Sequence, residues 1–152
     1  WRGIAMARSD APLRLLDVNV LIALSLPNHV HHGLVSRWFD GVARWATCSI
    51  TQSAYIRLLL NPKVTGFPVA AGRAREGLAQ LCRVEGREFL ADDAPLAEPL
   101  IDMTGLVGFR QVTNLHLVDL AARHGAVLAT IDGRIPDALV AGDRRHIELI
   151  EV

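Results

Sequence analysis

Twice the chain drives an apolar run straight into an aspartate. The first is Leu13-Arg14-Leu15-Leu16-Asp17, continued by Val18-Asn19-Val20-Leu21-Ile22; the second is Ala126-Val127-Leu128-Ala129-Thr130-Ile131-Asp132. Short, nearly all-apolar runs read as strands buried on both faces, the strands of a parallel sheet covered by helices. A carboxylate is costly to bury unpaired. An Asp at the exit of such a strand is therefore expected at the sheet's carboxyl edge, where open α/β folds build their sites. Two of them, from opposite ends of the chain, imply a shared acidic pocket able to hold a divalent cation.

Helical and strand patterns alternate between these runs. The spacing predicts a strand at 14–16, a helix from Val18 to Leu26 stopped by Pro27, and a helix over 30–43 with Leu34, Val35, Trp38 and Val42 on one face. A strand at 46–48 leads to a helix capped by Thr51 and ended by Asn61-Pro62. A turn at 65–68 precedes a helix over 69–84 whose inward positions are Ala74, Leu78 and Leu81. After a strand at 88–90, Asp92-Asp93-Ala94-Pro95 is expected to open another helix, its acids suited to a first turn. Thr113 is expected to cap an amphipathic helix with Leu117, Leu120 and Ala121 inward, ended by Gly125. Strands at 126–130 and 146–152 complete an α/β pattern with a mainly parallel central sheet flanked by helices. Residues 1–12 read as a tail, with Trp1 to Ala5 as a non-native leader before Met6, and 13–152 as one domain. A chain of 152 residues buries roughly two-thirds of its unfolded surface.

The 16 basic residues match the 16 acidic ones, so nucleic-acid binding would need a local basic patch rather than a global field. Cys48 and Cys82 are too few for a disulfide framework and lack metal-ligand spacing; they are expected to be buried thiols of a reducing compartment. No stretch approaches the ~20 unbroken apolar residues of a membrane span, and the start lacks the order of a secretory signal. A cytoplasmic protein without membrane association is expected.

Four places bring a polar group to the presumed carboxyl edge. Two are Asp17 and Asp132; the others are Thr51-Gln52 and Thr113-Asn114, each read as a capping Thr followed by a side chain at the first helical position. With Leu15 to Ile22, Thr51 to Pro62 enclosing Arg57, Gln111-Val112-Thr113, and Leu128 to Asp132, the chain resembles PIN-domain ribonucleases, specifically the VapC toxins of bacterial VapBC toxin–antitoxin pairs. The four segments keep family order and separation over nearly the whole chain after the first dozen residues. The resemblance implies a PIN-like parallel sheet flanked by helices and Mg²⁺-dependent endonucleolytic cleavage of structured cellular RNA, transfer or ribosomal. It also implies a VapB-type antitoxin partner and a homodimer.

The family pattern has acids at the positions matching Asp17, Gln52, Asn114 and Asp132, and this sequence departs from it at two of the four. Mg²⁺ keeps several waters and needs only one or two carboxylates, so Asp17 and Asp132 can serve one ion, with Mn²⁺ as a substitute. Gln52 and Asn114 supply shape without charge, which weakens support for an attacking water. They are either deliberate replacements of acids or natural variation. The competing function is a catalytically inactive PIN fold that binds RNA or antitoxin. Asn19 and Thr130 are candidates to orient Asp17 and Asp132, and Arg57 to contact RNA or antitoxin.

Other groups read as structural. His29, His31 and His32 are expected at a solvated helix start, and His116 and His124 as ordinary helix residues. Asp119 points away from Asn114 by helical rotation, and Asp143 sits in a charged loop. Lys63, Arg73, Arg75 and Arg134 read as scattered surface charge with some capacity for phosphate. A haloacid-dehalogenase-like phosphatase would need an acid where Asn19 stands, and a receiver domain a late Lys, whereas Lys63 is the only lysine.

Overall fold

The computed structural model describes residues 10–151, so residues 1–9 of the expected tail 1–12 lie outside it. Five parallel strands form the sheet in the order β3-β2-β1-β4-β5: β1 Leu13–Leu16, β2 Arg44–Cys48, β3 Arg87–Leu90, β4 Ala126–Thr130 and β5 Ile147–Leu149. The α/β class and parallel sheet expected from the alternation are those observed. β1 is central, with Leu15 beside Ala46 on one side and Leu128 on the other.

The helices are α1 Val18–Ser25, α2 His32–Phe39, α3 Ser49–Leu59, α4 Pro62–Thr65, α5 Ala71–Cys82, α6 Val112–Arg123 and α7 Arg134–Asp137. Strand alternation sorts the core into two layers. Leu13, Leu15, Ala46, Cys48 and Leu128 pack against α6 and α7. Leu16, Trp45 and Ala129 pack against α1, α2, α3 and α5. In α6 every residue from Leu115 to Ala121 is buried, and Gly125 ends it with a left-handed φ of 62°.

This order places a topological switch point between β1 and β4. The chain leaves β1 for helices on one face and β4 for a helix on the other, so their exits diverge and open a crevice at the carboxyl edge. Asp17 and Asp132 follow those two strands.

Four expected features are corrected. Cys48, not Thr51, caps α3: its backbone is extended, and the Thr51 hydroxyl folds back from the third helical position to accept the Cys48 N–H at 3.1 Å. Gln52 therefore lies a full turn into the helix. Gln111, not Thr113, caps α6, because a 3-10 turn at Phe109–Gln111 starts the winding earlier and leaves Thr113 exposed. No helix follows Asp92: residues 91–108 are irregular, Pro95 and Pro99 interrupt any helical run, and the two acids are taken up by His116 within α6 and His124 at its C-cap. The helix expected over 30–43 is confined to His32–Phe39.

Candidate active site

Asp17 caps α1 and is only 4 % exposed. Its Oδ1 accepts the Val18 N–H at 2.7 Å and its Oδ2 accepts the Thr130 hydroxyl at 2.7 Å. The same hydroxyl oxygen accepts the Asp132 N–H at 3.1 Å and the Asn19 side-chain amide at 3.3 Å. Thr130, fully buried at the end of β4, thus ties the exits of β1 and β4 together. Asn19 and Thr130, the expected orienting groups, stand beside both aspartates.

The two carboxylates are driven in opposite directions. Burial pushes the Asp17 carboxyl above its ordinary range and the charge of Asp132 adds to this, against the pull of the Thr130, Val18 and Asn19 hydrogen bonds. Asp132 is held below the usual carboxylate range, chiefly by hydrogen bonds from Arg134. The Arg134 guanidinium grips both Asp132 oxygens, Nε to Oδ1 at 2.9 Å and Nη2 to Oδ2 at 2.8 Å. Arg134 itself is 87 % exposed. From sequence alone Arg134 reads as scattered surface charge. The signal was present, in that an Asp and an Arg two residues apart in a tight turn can close on one another.

Asn114, the third residue of α6, lines a cleft of about 540 Å³ together with Asp132, Arg134, Phe109 and Arg110. Gln52 is not gathered with them. Its amide nitrogen donates to Thr47 Oγ1 at 2.9 Å and approaches Cys82 Sγ at 3.9 Å. Thr47 lies on the Trp45 side of the sheet by strand alternation, and the Gln52 amide is engaged there. Arg57 is exposed and makes no hydrogen bond or ion pair among the described residues.

His116 in α6 and His124 at its C-cap do more than the sequence suggests. His116 is buried, with Nε2 2.8 Å from Asp92 Oδ1, and His124 Nε2 is 2.7 Å from Asp93 Oδ1. Together they fasten the segment after β3 to α6. Buried Asp119 accepts the Leu100 and Ile101 N–H groups and pairs with Arg123. His32 Nδ1 bonds the Ala23 carbonyl at 2.7 Å. Cys48 is buried and Cys82 half-buried, both as free thiols.

As a donor set for a cation, the site offers two carboxylates and nearby amide and hydroxyl oxygens. Among the described residues, no cluster of three or more His, Cys, Asp or Glu side chains is arranged for a metal. Asn19 Oδ1 is buried without a hydrogen-bond partner. A hydrated ion between Asp17 and Asp132 would bring water to that orphaned acceptor, and oxygen-only ligands with retained waters suit Mg²⁺ or Mn²⁺.

A five-stranded parallel sheet flanked by helices, with two aspartates at its switch point, is the PIN-like arrangement. No protein-family model matches the chain. Named relatives do. The chain is 38% identical over 142 residues to Ribonuclease VapC38 of Mycobacterium tuberculosis (strain ATCC 25618 / H37Rv), covering 92% of this chain and 99% of that protein. It is 41% identical over 131 residues to Ribonuclease VapC39 of the same strain, covering 84% and 94%, and 38% identical over 119 residues to Ribonuclease VapC29, covering 78% and 84%. The chain belongs to the VapC ribonuclease family.

Proposed function

We propose that this chain is the toxin of a type II toxin–antitoxin pair, a Mg²⁺-dependent endoribonuclease of the cytoplasm acting on structured RNA such as transfer or ribosomal RNA. Gln52 and Asn114, standing at acidic positions, weaken its activity. The observation that carries this reading is the pair Asp17 and Asp132, bridged through Thr130 at the sheet's switch point in a chain of this family. Asp17 and Asp132 would hold the ion, with Mn²⁺ able to replace Mg²⁺. Bound there, the ion supplies Lewis-acid stabilisation of phosphoryl oxygens and a more acidic attacking water.

The chain's own residues set the rest. Thr130 and Asn19 fix the Asp17 carboxylate in one orientation. Arg134 must leave Asp132 before both carboxylate oxygens are available, and a released guanidinium in this cleft is placed to meet a substrate phosphate. A basic side chain of a VapB-type antitoxin would compete for Asp132 as Arg134 does now. Arg57, exposed and unpaired, is proposed as a contact to RNA or antitoxin, and the protein as a homodimer.

The second reading, a PIN fold that binds RNA or antitoxin without cutting, is favoured by the engagement of Gln52 with Thr47 and Cys82. Cleavage of total cellular RNA in Mg²⁺ decides between them. Restoring both acids, as Gln52→Glu with Asn114→Asp, is expected to raise the rate by roughly 100-fold or more, the scale of regaining groups that support a metal site. If the chain as it stands cuts as fast as the restored form, the amides are competent parts of the site and the weakened-nuclease reading fails.

A further inference from the structure

We propose that Phe109 is a stacking platform for an unpaired base of single-stranded RNA lying along the cleft that Asp132 lines. The proposal rests on the ribonuclease reading and deepens it by naming how the substrate is gripped. Phe109 is 83 % exposed and Val107 90 % exposed, although neither is needed by the core. Phe109 is the aromatic face of the cleft that Asp132 lines. Phe109 and Val107 both line the same cleft as Asn114, Asp132 and Arg134, so a strand whose phosphate meets the Arg134 guanidinium has an adjoining nucleotide within reach of them.

The platform is built and held. The Val107 N–H donates to Gln111 Oε1 at 3.1 Å, and the Gln111 N–H to the Gly108 carbonyl at 3.0 Å. Upstream, Asp119 fastens Leu100 and Ile101, and Asp143 accepts the Asp102 N–H at 2.7 Å. Gly105 lies so close to the C-cap of α7 that an added Cβ would sit 2.1 Å from the Ala138 carbonyl oxygen. This segment is therefore pressed against the rest of the fold rather than swinging free.

Chemistry selects RNA among the possible occupants. The Arg110 guanidinium lies 5.7 Å from the Phe109 ring centroid. An aromatic face with an arginine plane beside it suits a base and its phosphate together. Arg134 is balanced by Asp132, and Arg110 leaves the cleft with local positive charge in a chain of zero formal net charge. Such stacking is available to bases splayed from a single strand and is denied to bases inside a duplex.

The test is fluorescence anisotropy with a short, mixed-sequence labelled RNA, single-stranded or annealed to its complement, in EDTA so that it is not cut. Phe109→Ala and Phe109→Leu are expected to weaken single-strand binding by about 10-fold or more, Leu failing because it is apolar without a π face. Phe109→Trp is expected to keep affinity, with indole fluorescence quenched by RNA beyond any change in the parent. Phe67→Ala, an exposed aromatic outside the cleft, is expected to match the parent, and duplex binding to be equal in all. Parent-like single-strand affinity for Phe109→Ala or Phe109→Leu would overturn the stacking role while leaving the ribonuclease reading intact. Loss of a co-expressed antitoxin with unchanged RNA affinity would instead make this a protein-docking surface and overturn it too. If the parent binds no RNA, the ribonuclease reading falls first and the platform with it.

Discussion

Replacing Thr130 by Val tests the site without any assay of activity. The hydroxyl is fully buried and serves three partners, Asp17 Oδ2, the Asp132 N–H and the Asn19 amide. Valine matches threonine in shape, so no cavity opens. The bond to a buried carboxylate is worth about 1.5–3 kcal/mol, and an orphaned Asp132 N–H adds on the order of 1 kcal/mol. The sum, about 3 kcal/mol, lowers the melting temperature of a domain this size by roughly 6–12 °C. Thr130→Ser keeps the hydroxyl and gives up one methyl, about 1 kcal/mol. The more polar variant is thus expected to be the more stable one at a buried position.

The pH dependence sharpens this. Burial raises the folded pKa of Asp17 above its unfolded value. As pH rises from the unfolded toward the folded value, the unfolded chain gives up its proton first, and Asp17 costs the fold stability. The Thr130 hydroxyl stabilises the charged form and limits that loss. Without it the folded pKa climbs further and the loss continues to higher pH. The gap between Thr130→Val and the parent should therefore be small near pH 4 and widen as pH rises through the Asp17 titration. Thermal and urea unfolding of parent, Val and Ser forms without metal, near pH 4 and near pH 8, measures it. Coincident Val and Ser curves near pH 8, or a gap that does not change with pH, would refute the claim that this hydroxyl holds a buried charge.

Either Asp17→Ala or Asp132→Ala is expected to abolish Mn²⁺ binding measured by calorimetry, since each leaves one charged ligand. In the parent, affinity should rise with pH because the ion competes with a proton on Asp17; unchanged binding in both variants would put the metal elsewhere. Arg134→Ala is expected to tighten Mn²⁺ binding several-fold by freeing both Asp132 oxygens, with almost no change in melting temperature because an exposed pair contributes little to stability. Equal affinity would show that the clamp does not compete. Asp119→Ala strands two backbone N–H groups and the Arg123 partner, and is expected to cost about 3 kcal/mol and to open residues 99–104 to limited proteolysis; an uncut, equally stable variant would contradict the anchoring role of Asp119.

The legible part of this molecule was the part written in local pattern. Leu15-Leu16-Asp17 and Leu128 to Asp132 are apolar runs whose burial on both faces leaves a parallel sheet as the solution, and a carboxylate at each exit has nowhere to go but its edge. Helix starts were less legible, because a capping residue is defined by backbone conformation. Thr51 has the chemistry of a cap, yet it works from the third position while Cys48 takes the extended conformation. That shift of one turn carries Gln52 toward Thr47 and Cys82, a displacement that spacing alone does not register.

Pairings between distant segments were illegible for a different reason. Asp92 and Asp93 looked like first-turn acids of a helix because local sequence contains no trace of His116 and His124, 24 and 31 residues later, which tie them to α6 instead. Those ties, with Asp119, convert the span between β3 and α6 from a helix into a braced wall of the cleft. The bracing explains how Phe109 can remain exposed beside the acids: the segment is fastened through its carboxylates and backbone, leaving the aromatic side chain unspent. At the opposite wall, Arg134 occupies Asp132, the more exposed of the two aspartates, while Asp17 is sealed by Thr130. The site thus has one carboxylate whose geometry is fixed by the fold and one whose partner can be exchanged. In the proposed reading a cation, an antitoxin arginine or a substrate phosphate drawing off Arg134 would all act at that second carboxylate, which would concentrate control of the site in the exchange of a single solvent-facing guanidinium.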